Sequence, residues 1–155
     1  MILGLHHVAL LTPEFDRLVG FYRDAVGATV VSERLYEGEE MSAAVSTATG
    51  VPGAPRLRST LLRLGNAFVE IQQYLEPEGA DERVHPPQDY GIRHFALAVE
   101  DIDAEIARLE AAGLRLIGRL DPESPLTVRA VYARDPAGNI IELLEATDPQ
   151  SPLRL

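Results

Sequence analysis

The stretch Leu5-His6-His7-Val8-Ala9-Leu10 returns in kind as Ile92-Arg93-His94-Phe95-Ala96-Leu97, 87 residues later in a chain of 155. Self-similarity of this sort means that one supersecondary unit is used twice, which narrows the fold more than any other feature of the chain. A helical segment follows each copy. In the first half Thr12 is placed to cap and Pro13 to open it, Phe15, Leu18, Val19, Tyr22 and Val26 recur at helical spacing, and Gly27 closes it. In the second half Asp101 or Asp103 caps, Ile102, Ile106 and Leu109 form the apolar stripe, and Gly113 closes. β-rich runs come next, at 28–34 and 114–119. Each is followed by a strand pair: 57–64 with 67–74 around Gly65-Asn66, and 128–134 with 140–144 around Asp135-Pro136-Ala137-Gly138-Asn139. Each half therefore reads β-α-β-β-β. A module of roughly 60 to 75 residues buries little surface alone, so the two copies are expected to share one core or to pair with another chain.

Two segments break the repeat. Residues 36–55, rich in Gly, Ser, Thr, Ala and Pro, have no counterpart of equal length and read as a long loop, of the kind that is either functional or mobile. Residues 76–90, with Pro77, Gly79, Pro86 and Pro87 among several charges, read as the linker between module 1 (1–75) and module 2 (91–148) of a single domain spanning 1–155. His85 lies in that linker without an acid partner in the pattern and is read as solvated.

Composition mainly excludes. Fourteen Lys and Arg against 24 Asp and Glu leave a formal charge of −10, which argues against a nucleic-acid partner and against an anionic membrane surface. No apolar run reaches the roughly 18 to 20 residues of a membrane span, and the first residues lack a basic leader, so the expectation is an unprocessed cytoplasmic protein. With no Cys, disulfides, thiolate metal sites and cysteine nucleophiles are excluded, and a metal would have to use carboxylates and the four histidines His6, His7, His85 and His94.

Strand periodicity places His7 and Ala9 opposite His6, Val8 and Leu10, and His94, Ala96 and Ala98 opposite Phe95, Leu97 and Val99. His7 and His94 thus occupy equivalent positions on faces lined by small residues. On the last strand of each module Glu70 interrupts the face of Phe68, Gln72 and Tyr74, and Glu142 that of Ile140 and Leu144. A carboxylate in an apolar run signals a positive partner or a cation, because its charge is costly to bury alone. No Lys or Arg lies on those faces of the two strands. A single strand histidine is most often a hydrogen-bonded core or surface residue, and a lone Glu on an edge strand can simply face water. Recurrence of the same His-to-Glu pattern at equivalent places separates this set from such cases. His7, Glu70, His94 and Glu142 together would give a divalent cation two imidazoles and two carboxylates, with open positions on an octahedral ion. His6 has no repeat partner of its type and is read as structural.

The paired modules with these four residues resemble the vicinal oxygen chelate superfamily, which includes glyoxalase I, methylmalonyl-CoA epimerase, extradiol dioxygenases and bleomycin-type resistance proteins. The matching motifs are Leu5-His6-His7-Val8-Ala9-Leu10, Gly91-Ile92-Arg93-His94-Phe95-Ala96-Leu97 and Asp135-Pro136-Ala137-Gly138-Asn139-Ile140-Ile141-Glu142-Leu143, within residues 3 to 146. The resemblance implies an α+β fold in which two β-α-β-β-β modules form a curved, mostly antiparallel eight-stranded sheet around a metal cleft. It also implies a homodimer and a small-molecule substrate that binds through two adjacent oxygens. His7, Glu70, His94 and Glu142 take the ligand positions for one divalent ion per site, with Ni, Co, Zn, Mn and Fe all compatible with the donors.

By resemblance the activity expected is that of a lyase, isomerase or epimerase moving a proton next to a metal-bound carbonyl. Glu142 or Glu70 would be the catalytic carboxylate, and Glu39 and Glu40 in the long loop are alternatives. The His, Glu, His, Glu set is similar to that of glyoxalase I, whereas epimerases carry Gln at the position of Glu70. Residues 90–113 look more like the epimerase branch. Alternatives are an extradiol-type dioxygenase and a non-catalytic, ligand-sequestering protein of the resistance type. Tyr36 and Tyr132 are candidates to hydrogen-bond substrate, although strand aromatics more often pack. Arg56, Arg58 and Arg63 are the only candidates seen for a phosphate or CoA cradle.

Overall fold

The protein is described from a computed structural model over residues 1–80, 85–121 and 127–155. It divides into two compact units, Met1–Asp81 and Glu82–Leu155. The first runs β1 (His7–Leu11), α1 (Phe15–Gly20), β2 (Thr29–Tyr36), α2 (Glu39–Thr49), β3 (Arg56–Leu64) and β4 (Ala67–Glu76). The second runs β5 (His94–Ala98), α3 (Ile102–Ala111), β6 (Arg115–Leu116), β7 (Val128–Arg134) and β8 (Ile140–Ala146).

Both units solve the same packing problem in the same way. Each has a four-stranded sheet, of order β1-β4-β3-β2 in one and β5-β8-β7-β6 in the other. In each, the first strand lies parallel to the last, because the helix that follows the first strand carries the chain across the sheet, and the remaining pairs are antiparallel. The expected α+β class is the one found. The eight strands are present, as two mixed sheets with three α-helices among the described residues.

Alternation along the last strands sends one face to the helix. In unit 1, Val69 and Ile71 of β4 and Leu62 of β3 are buried, as are Leu18 and Tyr22, and α1 packs against β4. In unit 2, Ile141 and Leu143 of β8 are fully buried together with Ile102 and Leu109 of α3, which packs on that strand. Removing these side chains from water supplies the main driving force, on the order of 1.5 to 3 kcal/mol for each large aliphatic residue. The opposite face is left to the histidines and glutamates.

Helix boundaries follow local chemistry. Asp101 caps α3, its Oδ1 accepting the Ala104 N–H at 3.0 Å, so of the two candidates Asp101 is the cap. Thr12 acts earlier than a helix cap would, since its Oγ1 accepts the Glu14 N–H at 2.9 Å and α1 begins only at Phe15. Beyond Gly20 the chain widens into a π-helical turn, Phe21–Ala25, in which the Val26 N–H bonds back to the Phe21 carbonyl at 3.0 Å. Gly27 and Gly113 then reverse the chain at φ +86° and +107°, conformations open to glycine.

A further expectation is corrected. The segment 36–55 contains the helix α2, Glu39–Thr49, ended by Gly50 at φ +75°. Glu39 and Glu40 form its exposed first turn, where acidic side chains complement the helix dipole. Ser42 and Val45 are its buried residues.

Candidate metal centre

Register decides which side chains share a face. In unit 1 His7 is paired with Phe68 and Ala9 with Glu70 across the parallel strands, so His7 and Glu70 stand on one face, one diagonal step apart. In unit 2 the same pairing recurs, His94 with Ile140 and Ala96 with Glu142. The side chains meet as this geometry requires: His7 Nε2 is 3.4 Å from Glu70 Oε2, and His94 Nε2 is 3.2 Å from Glu142 Oε2.

These separations are at or beyond the long end of ordinary N–H···O bonds, which run about 2.7 to 3.2 Å. They match two neighbouring ligands of one ion, since donors about 2.1 Å from a metal at angles of about 90° to 109° lie roughly 3.0 to 3.4 Å apart. The two carboxylates are more enclosed than the imidazoles, with side chains 20% and 16% exposed against 41% and 34%. Each unit therefore presents one imidazole and one carboxylate at chelating distance, and the donor chemistry fits a divalent cation. Among the described residues no group of three or more such side chains is gathered into one candidate metal-holding cluster. What the structure brings together is two pairs, one in each unit.

Cations nearby are committed elsewhere. Arg63 of β3 and Arg134 of β7 stand across from Phe68 and Ile140, on the faces that carry Glu70 and Glu142. Arg63 lies over the Phe68 ring at 5.1 Å. Arg134 donates to the Gly138 and His85 carbonyls at 2.7 and 2.8 Å. Neither forms an ion pair with the glutamates. Arg58 is on the opposite face of β3 from Arg63, bonded to Asp16 at 2.7 Å and stacked over Phe15 at 4.2 Å, while Arg56 pairs with Glu37 at 3.3 Å. The three arginines therefore do not form one anion cradle.

The other histidines resolve separately. His6 stacks on Phe68, ring centroids 4.9 Å apart, with its Nδ1 2.9 Å from Nδ1 of His7, so it buttresses the histidine beside it. His85 has an acid neighbour that the sequence reading lacked: Asp89 Oδ2 is 3.4 Å from its Nδ1. Tyr132 is directly opposite Glu142 in register, and its hydroxyl is 3.4 Å from His94 Nε2, which puts this tyrosine at the second pair. Among the described residues no polar contact draws Tyr36 to the first.

One residue escaped the sequence reading. Ser59 of β3 donates a 2.6 Å hydrogen bond to Glu70 Oε1, at a site where the serine is 4% exposed. The length is typical of a hydroxyl bonded to an ionised carboxylate. Its signal was present in the alternation of β3: with the Gly65-Asn66 turn fixing the register, Ser59 and Leu61 fall on the Glu70 face.

Residues 4–143 match a family model, that of the Glyoxalase/Bleomycin resistance protein/Dioxygenase superfamily. The chain belongs to this superfamily. A 2-epi-5-epi-valiolone epimerase from an Actinomyces species is 32% identical over 152 residues, a match that covers 91% of this chain and 78% of the relative. The uncharacterized protein YaeR of Escherichia coli (strain K12) is 29% identical over 148 residues, covering 93% of this chain and 99% of the relative. Among solved structures, a glyoxalase family protein from Bacillus cereus superposes with a TM-score of 0.84 at 24% identity, over 96% of this chain and 97% of that one. Superfamily membership accounts for the duplicated sheet order. No helix among the described residues is long and apolar enough to cross a membrane.

Proposed function

We propose that this superfamily member is a divalent-metal enzyme that moves a proton on the carbon next to a carbonyl, as an epimerase, isomerase or lyase. The observation that carries the reading is the repeated His-to-Glu pair at ligand spacing, His7 with Glu70 and His94 with Glu142. The two modules act as one domain in this reading, whose four donors hold one ion, either within a chain or between two chains of a homodimer.

The ion, when bound, supplies Lewis acidity to a substrate oxygen, so that less charge has to build up unaided as the adjacent C–H bond breaks. Everything else falls to the chain. Glu70 and Glu142 are the carboxylates able to take that proton and return it, and the base must sit within hydrogen-bond reach of the carbon-bound hydrogen. His7 and His94 serve as neutral donors, with His6 and the Tyr132 hydroxyl against their rings. Return to the opposite face of the carbon would give an epimer, and return to the neighbouring carbon an isomer.

Similarity to an epimerase at 32% identity favours the epimerase form and a ketone as substrate class. The complete acid pair favours the glyoxalase-like form, because the resemblance places Gln at the Glu70 position in epimerases. A screen separates them. α-Hydroxy ketones and 2-oxo thioesters are incubated in D2O with the metal-loaded protein, and exchange and stereochemistry are followed by NMR. Deuterium incorporation that stops in chelator and in Glu142→Gln is the expected result. Ligand binding that persists without metal, or oxygen consumption with a catechol, would favour the sequestering or the dioxygenase reading instead.

A further inference from the structure

The two modules match in their donors and differ in what stands beside them. In register terms Ser59, across from Gln72, corresponds to Ala130, across from Leu144, and Leu61, across from Glu70, corresponds to Tyr132, across from Glu142. Glu70 thus receives a buried hydroxyl on the oxygen that does not face His7, at 2.6 Å. Glu142 has a methyl group at the equivalent position. Among the described residues its polar contact is with His94 through Oε2.

A carboxylate gripped through one oxygen keeps its other oxygen in a fixed direction, and it cannot rotate away without breaking a charge-assisted bond inside the protein. A carboxylate held on one side only is free to turn. We propose that Ser59 is a positioning residue for Glu70: its hydroxyl would hold that carboxylate in place as a ligand for a divalent ion, a grip for which Glu142 has no equivalent hydroxyl. This inference rests on the metal-enzyme reading above.

The test uses the full-length protein and Mn(II) alone, titrated by calorimetry, with circular dichroism to verify folding. Ser59→Ala is expected to weaken Mn(II) binding by about 10- to 100-fold, the usual cost of removing a group that orients a ligand, and Ser59→Thr to restore it. The loss should disappear when Glu70 is already Gln and persist when Glu142 is Gln, a contrast that a general structural defect would not produce. Ala130→Ser, which offers Glu142 the missing hydroxyl, is expected to tighten Mn(II) severalfold, and it decides the matter should Ser59→Ala not fold. Mn(II) affinity of folded Ser59→Ala within about twofold of wild type overturns the inference, as does weaker or unchanged binding by Ala130→Ser. If the unaltered protein binds no Mn(II), the metal-enzyme reading falls and takes this inference with it. If it binds and only the Ser59 effects are missing, the metal reading stands alone.

Discussion

Asp135 is the residue whose removal should most disturb the second donor pair without touching it. It is fully buried at the start of the β7–β8 turn, and its carboxylate accepts the backbone N–H groups of Ala137 (3.0 Å) and Asn139 (2.9 Å) and the Asn139 side-chain amide (2.9 Å). Asn139 leads directly into β8, which carries Glu142. In Asp135→Ala these three bonds to a charged acceptor vanish, each contributing about 1.5 to 3 kcal/mol net. Two backbone bonds survive, Asp135 N–H to the Asn139 carbonyl and Gly138 N–H to the Asp135 carbonyl, both at 3.0 Å. Because bonds within one turn are not additive, we expect a net loss of about 3 to 5 kcal/mol rather than the full sum. In a chain of this length that lowers Tm by roughly 6 to 20 °C. Asp135→Asn keeps an acceptor for the two backbone donors but sets one amide against another, so about half the loss is expected. Denaturant unfolding and calorimetry measure both variants. An Asp135→Ala protein within about 1 kcal/mol of wild type would refute the reasoning, since the cost would then be no more than that of one ordinary hydrogen bond.

Three further expectations concern the scaffold. Ile71→Ala, at a fully buried position on the helix-facing side of β4, should cost about 2 to 5 kcal/mol in urea unfolding, with the upper part of the range if the cavity stays open. Asp101→Ala, which frees the Ala104 N–H, should cost about 1 kcal/mol and increase hydrogen exchange in the first turn of α3. The Asp24 carboxyl is held below the usual carboxylate range by hydrogen bonds from the Arg23 guanidinium at 2.7 and 2.6 Å, so Arg23→Gln should raise its NMR titration midpoint. With the folded value depressed, any stability from this exposed pair is present above the unfolded-state pKa and is lost as pH falls through the folded one.

The duplicated module was legible in the sequence because its signals are local and repeated. Period-two alternation around His94, the Asp101 cap, and the closing glycines at 27 and 113 each have a short-range physical cause, and the sheets use them as expected. The pairing of His7 with Glu70 was legible for the same reason, since both sit on strands whose alternation is unbroken. The helix α2 was hidden by weighing composition instead of order: its four Ser and Thr residues read as loop, while the acidic first turn at Glu39-Glu40, the alanines 43, 44 and 48, and the αL Gly50 were the better guide. The partnership of Ser59 with Glu70, by contrast, joins two strands, and shows only when the alternation of β3 is carried through the Gly65-Asn66 turn that sets its register against β4. The acid partner of His85, Asp89, lies four residues on in a segment without periodicity, so no strand or helix pattern points to it.

The most direct test of the account is a Mn(II) or Co(II) titration of the purified protein, with stoichiometry from calorimetry and ligand count from the spectra of the bound ion. The same titration is run on His7→Ala, Glu70→Gln, His94→Ala and Glu142→Gln. The account predicts one ion per chain, mixed nitrogen and oxygen coordination, and a large loss of affinity in every one of the four variants. Binding that survives in the His7 and Glu70 variants, or none in the unaltered protein, would contradict it.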